Sequence, residues 1–219
     1  MSLGQQIAAR LEGATFDRLA GAGVANAVLN QSRIRRSVLN LPRWEVLGRG
    51  DAALVIAAGP SLARRRSLER IAAAGFRGTI VAVDRALGAC LRAGIVPHVV
   101  VSVDPHPGRI VRWFGDPALL APPADDFLRR QAGAAGLDEV ATNRALLALV
   151  DHHGPAICAA LATSTPPAVS ARCAQACMTL YWWNPLYDDP ATPESVTRRV
   201  HNMNKLPCLN GGGNVGTAA

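Results

Sequence analysis

The stretch Ala52-Ala53-Leu54-Val55-Ile56-Ala57-Ala58-Gly59-Pro60-Ser61-Leu62 constrains the fold of this chain more than any other. Leu54 to Ala58 is a short apolar run of the kind found in a buried parallel strand. Gly59 permits a tight turn and a close approach by a ligand. Pro60 presets φ and removes one donor. Ser61 is a suitable N-cap for an amphipathic helix over residues 62–74. The free N–H groups at such a helix start favour an anion, so a phosphorylated ligand is one reading. A plain strand-to-helix turn that binds nothing is the other, and this motif alone leaves both open.

The pattern then repeats. Thr79 to Val83 is expected to be a strand ending at Asp84, with a helix from Arg85 to Ala93 closed by Gly94. Val99 to Val103 is a third strand, ending in Asp104-Pro105. A β-α-β-α-β series predicts an α/β, Rossmann-like, doubly wound and mostly parallel sheet. Further on, helices are expected over 139–150, 167–176 and 193–202, the last with Thr192 as N-cap. Strands are expected over 156–162, 178–183 and 206–209, and residues 112–123 as loop. Residues 1–50 read as an N-terminal helical region and connector, and residues 51–219 as the α/β domain.

Composition narrows the function classes. The formal charge is +7, carried by 22 arginines and the single Lys205. Arginine pairs bidentately with phosphate and suits an anionic substrate. No recognition-helix pattern, zinc-finger spacing or aromatic-interleaved basic strand occurs, so nucleic acid is not the expected partner. A P-loop is excluded, because no G-x-x-x-x-G-K-S/T is present. No run of 18 apolar residues suggests a membrane span, and the N-terminus does not resemble a signal peptide. Five cysteines without disulfide spacing indicate free thiols and a cytoplasmic setting. Cys173 and Cys177 read as core rather than as zinc ligands.

In open α/β sheets ligands bind beyond the carboxyl ends of the strands, and polar residues gather there in this sequence. The ends carry Gly59-Pro60-Ser61-Leu62, Asp84, Asp104, Ser164 and a closing Gly-rich turn. Asp84 sits where such folds contact a ribose or base, or it caps the following helix. Asp104 suits Mg²⁺ or a substrate amine, or it makes an ordinary Asp-Pro turn. His106 lies two residues beyond it and is the nearest candidate base. Gly211-Gly212-Gly213-Asn214-Val215-Gly216-Thr217 allows a nest of backbone N–H groups with a hydroxyl donor beside it, a second phosphate candidate. One ligand is expected to span this turn and the Gly59 turn, which requires their strands to be neighbours.

The ordered set Ala57-Ala58-Gly59-Pro60-Ser61-Leu62, Val81-Ala82-Val83-Asp84-Arg85-Ala86-Leu87, Ala93-Gly94-Ile95-Val96-Pro97-His98 and Val101-Ser102-Val103-Asp104-Pro105 resembles the 6-hydroxymethylpterin diphosphokinase MptE-like family. Gly212-Gly213-Asn214-Val215-Gly216-Thr217-Ala218 fits the same pattern, so the resemblance covers residues 26–219. It implies a Rossmann-like transferase. The implied reaction moves diphosphate from ATP to a hydroxymethyl-pterin-like acceptor, with Asp104 and Asp84 as Mg²⁺ ligands. It also implies an alternative, a glycosyltransferase using a CMP-linked sugar, as in motility accessory factors. A non-catalytic nucleotide-binding module is the third reading. Carried over by motif, Gly59, Ser61, Asp84, Asp104, Asn214 and Thr217 are nucleotide and substrate positions. Alanine stands at 57 and 58 where the family usually places a glycine. Domains of this family continue past the Gly-Asn-Val-Gly-Thr turn, so the domain is expected to be incomplete and to form a homo-oligomer.

Overall fold

A computed structural model describes residues 20–106, 108, 110–121 and 138–210. The Gly211 to Thr217 turn lies outside the described residues. Six parallel strands form the sheet: β1 Ala53–Ile56, β2 Thr79–Val83, β3 Val99–Ser102, β4 Cys158–Ala162, β5 Thr179–Pro185 and β6 Cys208–Leu209. Their spatial order is β1-β2-β3-β4-β5-β6, with no reversal. The fold class is α/β and Rossmann-like, as the repeating strand–helix pattern predicts. The expected neighbour relation between the first and last strands is not met, because β1 and β6 end the strand order on opposite edges. Right-handed crossovers between successive neighbours keep stepping the same way, and only a reversal brings distant strands together.

The helices are α1 at residues 20–30, α2 Trp44–Leu47, α3 Pro60–Arg64, α4 Ser67–Ala74, α5 Asp84–Arg92, α6 Glu139–His153, α7 Pro167–Gln175 and α8 Val196–Asn204. No helix among the described residues is long and apolar enough to cross a membrane. Alternation along each strand sends side chains to two faces. On one face Val100, Ala159, Leu161 and Trp182 pack with Leu87 and Leu91 of α5, Leu146 and Val150 of α6, and Val169 and Cys173 of α7. Ile56, Ile80 and Ala82 continue this face against Ala86, Cys90, Leu68 and Ile71. On the other face Val99, Val101 and Ala160 are covered by Val38, Leu41 and Leu47. The two tryptophans Trp182 and Trp183 are core residues.

The N-terminal region is wrapped around the sheet. The Arg36 carbonyl accepts from Trp182 N–H at 2.9 Å, so this segment lines the outer side of β5 before β6 begins. It then passes beneath the sheet, where the polar connector expected over 42–51 includes the short α2. Gly48 is buried because a Cβ there would stand 2.4 Å from Gly78 C.

Several local expectations are corrected by geometry. Gly59, not Ser61, occupies the N-cap of α3; Pro60 follows inside the first turn, where its fixed φ suits a helix start. The helix expected over 62–74 is two helices, split where Arg66 adopts φ 49°. Residues 112–114, inside the stretch expected to be loop, belong to a 3-10 helix over Ile110–Phe114. Ser195, rather than Thr192, caps α8, accepting from Arg198 N–H. Asp188 reinforces that cap: it accepts from Ser195 Oγ, Val196 N–H and Thr197 N–H. Burial alone would raise its carboxyl, but these bonds hold it at about 2.

Candidate functional site

The carboxyl ends of β1, β2, β3 and β4 carry the turns singled out in the sequence, and α1 runs across two of them. At the end of β1, Gly59 is exposed and extended, with φ −76°. A Cβ there would meet only Ser61 Oγ, at 3.7 Å, so the backbone is open to approach. Leu62 N–H already donates to Gly59 O at 3.0 Å. Ser61 is exposed at the second position of α3, and Leu62 packs its side chain into the core beside Ile56.

Asp84 begins α5 directly after β2 and is only 4% exposed. Its Oδ1 accepts from Arg85 N–H at 2.6 Å and its Oδ2 accepts from the Ser102 hydroxyl at 2.7 Å. Burial pushes the carboxyl up to about 6, the two hydrogen bonds and the Arg85 charge oppose that rise, and nearby Asp104 adds to it. A buried carboxylate at a helix start gains from the N–H groups there. Both oxygens are engaged within the protein, where they tie the start of α5 to the end of β3.

Asp104 is exposed beyond β3, and its Oδ1 accepts from His106 N–H at 2.8 Å. His106 Nδ1 in turn accepts from Gly108 N–H at 3.3 Å. That bond assigns the neutral ring the tautomer with a proton on Nε2, which makes the free nitrogen a donor. In that tautomer the Nε2–H can donate to an anion. Among the described residues no group of three or more His, Cys, Asp and Glu is placed to hold a metal. Asp104 alone offers a free carboxylate oxygen, which fits a Mg²⁺ held chiefly by substrate phosphates.

Ser164, after β4, is 3% exposed and donates to Val103 O at 2.7 Å. Its hydroxyl ties β4's turn to that of β3. The device that fixes both turns comes from α1 and was missed in the sequence reading. Asn26 Nδ2 on α1 donates to Pro105 O at 3.3 Å and Ser164 O at 2.7 Å. One helical turn on, Asn30 Nδ2 donates to Thr163 O at 3.3 Å and Thr165 O at 2.7 Å, and its Oδ1 accepts from Ser170 Oγ at 2.7 Å. The i, i+4 spacing of two asparagines on a helix was the available signal. Arg85, which follows Asp84, lays its guanidinium 5.4 Å from the centroid of Trp113. This contact also escaped the sequence, because Trp113 lies in the stretch 112–123 that was expected to be loop.

The structure therefore gathers Asp84, Ser102 and Asp104 at the β2 and β3 ends, with the Gly59 turn on the neighbouring strand β1. Ser164 joins them only as a structural link. The strand leading to Gly213, Asn214, Val215, Gly216 and Thr217 lies at the far edge of the sheet. No curated protein matches the chain. The family model described as 6-hydroxymethylpterin diphosphokinase MptE-like matches residues 26–111, a span that begins at Asn26 and contains Gly59, Ser61, Asp84, Asp104 and His106. Over the segment that carries β1, β2 and β3 with the turns at their carboxyl ends, the chain is similar to that family.

Proposed function

We propose that the crevice over the carboxyl ends of β1, β2 and β3 binds a nucleotide, and that the protein transfers diphosphate from ATP to a hydroxymethyl-pterin-like acceptor. The observation that carries this reading is the placement of Asp84. A carboxyl group is kept almost wholly buried at a strand end, bonded on both oxygens and raised to about 6, within the segment that matches the family model. Perturbed carboxyls of this kind cluster at functional sites.

In this reading the Gly59 turn lets phosphate approach the backbone, and Ser61 Oγ donates to it. His106 Nε2–H donates to a second phosphate oxygen. Asp104 would be the protein ligand of Mg²⁺, which would neutralise charge on the transferred group. Asp84 holds the start of α5 and the end of β3 in register, and its field favours the ribose hydroxyls as donors. The acceptor hydroxyl attacks the β-phosphorus and its proton passes to solvent, the bond from that phosphorus to the α,β-bridging oxygen breaks, and AMP leaves with that oxygen.

Incubation with ATP, Mg²⁺ and 6-hydroxymethylpterin is expected to yield AMP and the pterin diphosphate, read by mass spectrometry. Calorimetry is expected to show ATP binding that strengthens with Mg²⁺. Tight CMP binding without metal, and no AMP release, would replace this reading with transfer from a CMP-linked sugar. Binding of no nucleotide at all would remove the nucleotide site itself.

A further inference from the structure

The β1 end of the sheet differs from the rest of the molecule. β1 ends the strand order, so among the described residues one of its sides has no partner strand. Thr79 N–H donates to Ala52 O at 3.0 Å, and Ala53 is in register with Thr79. Parallel pairing then turns the backbone groups of Leu54 and Ile56 toward β2 and those of Ala53 and Val55 outward. Ala53 and Val55 are also exposed through their side chains, Val55 by 46%, and Val46 nearby in sequence by 75%. Neither α3 nor α4 has a buried residue.

The segment that carries this edge has a net positive charge. Residues 43–77 contain seven arginines, Arg43, Arg49, Arg64, Arg65, Arg66, Arg70 and Arg77, against three acids, Glu45, Asp51 and Glu69. All seven are exposed. Among the described residues only Arg66 has a carboxylate partner in this set, Glu69 at 2.7 Å. The segment therefore holds more than half of the chain's net charge of +7, and most of it is unneutralised.

We propose that the free edge of β1 and its arginine flank form a docking surface for an extended, acidic segment of a partner protein, which joins the sheet as an additional strand. Outward N–H and C=O groups supply the main-chain bonds of strand addition, and Val55 supplies an apolar contact on one face. Alternation along a strand then calls for a segment in which acidic and apolar residues alternate. Charge also decides against a second copy of this chain. Edge-to-edge pairing of two copies would bring the same arginines together, whereas an acidic strand neutralises them. This surface uses none of the residues assigned to the nucleotide site.

The probe is a fluorescent ten-residue peptide of alternating Glu and Val, followed by anisotropy. Its controls are the same peptide with Lys for Glu, and a dT oligonucleotide. The Glu peptide is expected to bind, to weaken as salt is raised, and to bind at least about tenfold more tightly than the Lys peptide. Val55→Pro removes one outward N–H while leaving the β1–β2 ladder its donors, since proline is tolerated where an edge N–H faces solvent. It should weaken the Glu peptide by about tenfold with little change in melting temperature. If Val55→Pro does not fold, the double variant Arg64→Glu, Arg70→Glu decides alone, with the same loss expected. Equal binding of the two peptides, variants that bind the Glu peptide as the parent does, or tighter binding of the oligonucleotide would each overturn the proposal.

Discussion

The Ser102 hydroxyl donates to Asp84 Oδ2 at 2.7 Å, joining the end of β3 to the first residue of α5. The bond crosses the junction of two neighbouring strands and is buried on both sides, with Ser102 fully enclosed. It converts a carboxyl that burial disfavours into one that is held in a single position. Nothing in the packing requires a charge there, since an amide could accept the Arg85 N–H equally well. The carboxylate is therefore retained against its own desolvation, which is the pattern expected of a functional group.

That cost has a pH dependence. Asp84 titrates near about 6 in the folded protein, against 3.8 as its ordinary value. The folded state holds the proton more firmly, so this group's contribution to stability is complete below 3.8 and is lost as pH rises through about 6. Asp84→Asn carries no charge and escapes the loss. Its melting temperature is expected to match the parent near about pH 4 and to exceed it by several degrees near about pH 8. A variant less stable than the parent at the higher pH would show that the charge is stabilising and that burial has been overestimated.

The two asparagines of α1 should differ in weight. Asn30 is fully buried and serves Thr163 O, Thr165 O and Ser170 Oγ. Asn30→Ala takes their donor from the two threonine carbonyls, while Ser170 Oγ keeps its bond to Pro167 O at 3.0 Å, and is expected to cost about 2–3 kcal/mol by urea denaturation. Asn26 is half-buried, and Asn26→Ala is expected to cost about 1 kcal/mol. Its distinctive effect is on the turns: proteolysis around residues 104–108 should accelerate more than at any other described loop. Unchanged cleavage there would mean that α1 does not hold the β3 turn.

Arg172 on α7 is a third test. Its side chain is 2% exposed, its Nε donates to Phe114 O and Gly115 O at 3.1 Å, and its Nη1 pairs with Asp151 at 2.8 Å. One guanidinium thus closes the C-terminal end of the 110–114 helix and anchors α6. Arg172→Met keeps the stem but strands the two carbonyls, and is expected to cost about 3 kcal/mol or more. Arg172→Lys should recover only part of that, because an ammonium lacks the planar fork that reaches both groups. Full recovery by lysine, measured by thermal melting, would mean that charge alone is required.

The sequence by itself determined the local alphabet of this protein. Apolar runs at 54–58, 79–83 and 99–103, each closed by a polar or glycine turn, were legible as strands from their length and β-branched content, although the first spans Ala53–Ile56 and leaves Val55 46% exposed rather than buried. Asp84 and Asp104 were legible as strand-end residues for the same reason: the period of hydrophobicity stops at them. Tertiary structure decided the rest. Strand order does not follow from a list of strands, and only the assembled sheet put β1 and β6 on opposite edges. Whether a carboxylate is a ligand or a buried strut depends on neighbours far away in the chain, and Ser102 is 18 residues from Asp84. The role of Asn26 is more distant still, since its partner carbonyl at Ser164 lies 138 residues on. Hydrogen bonds of that reach leave no periodic trace in a sequence, because what selects them is the shape of the folded chain around one polar atom.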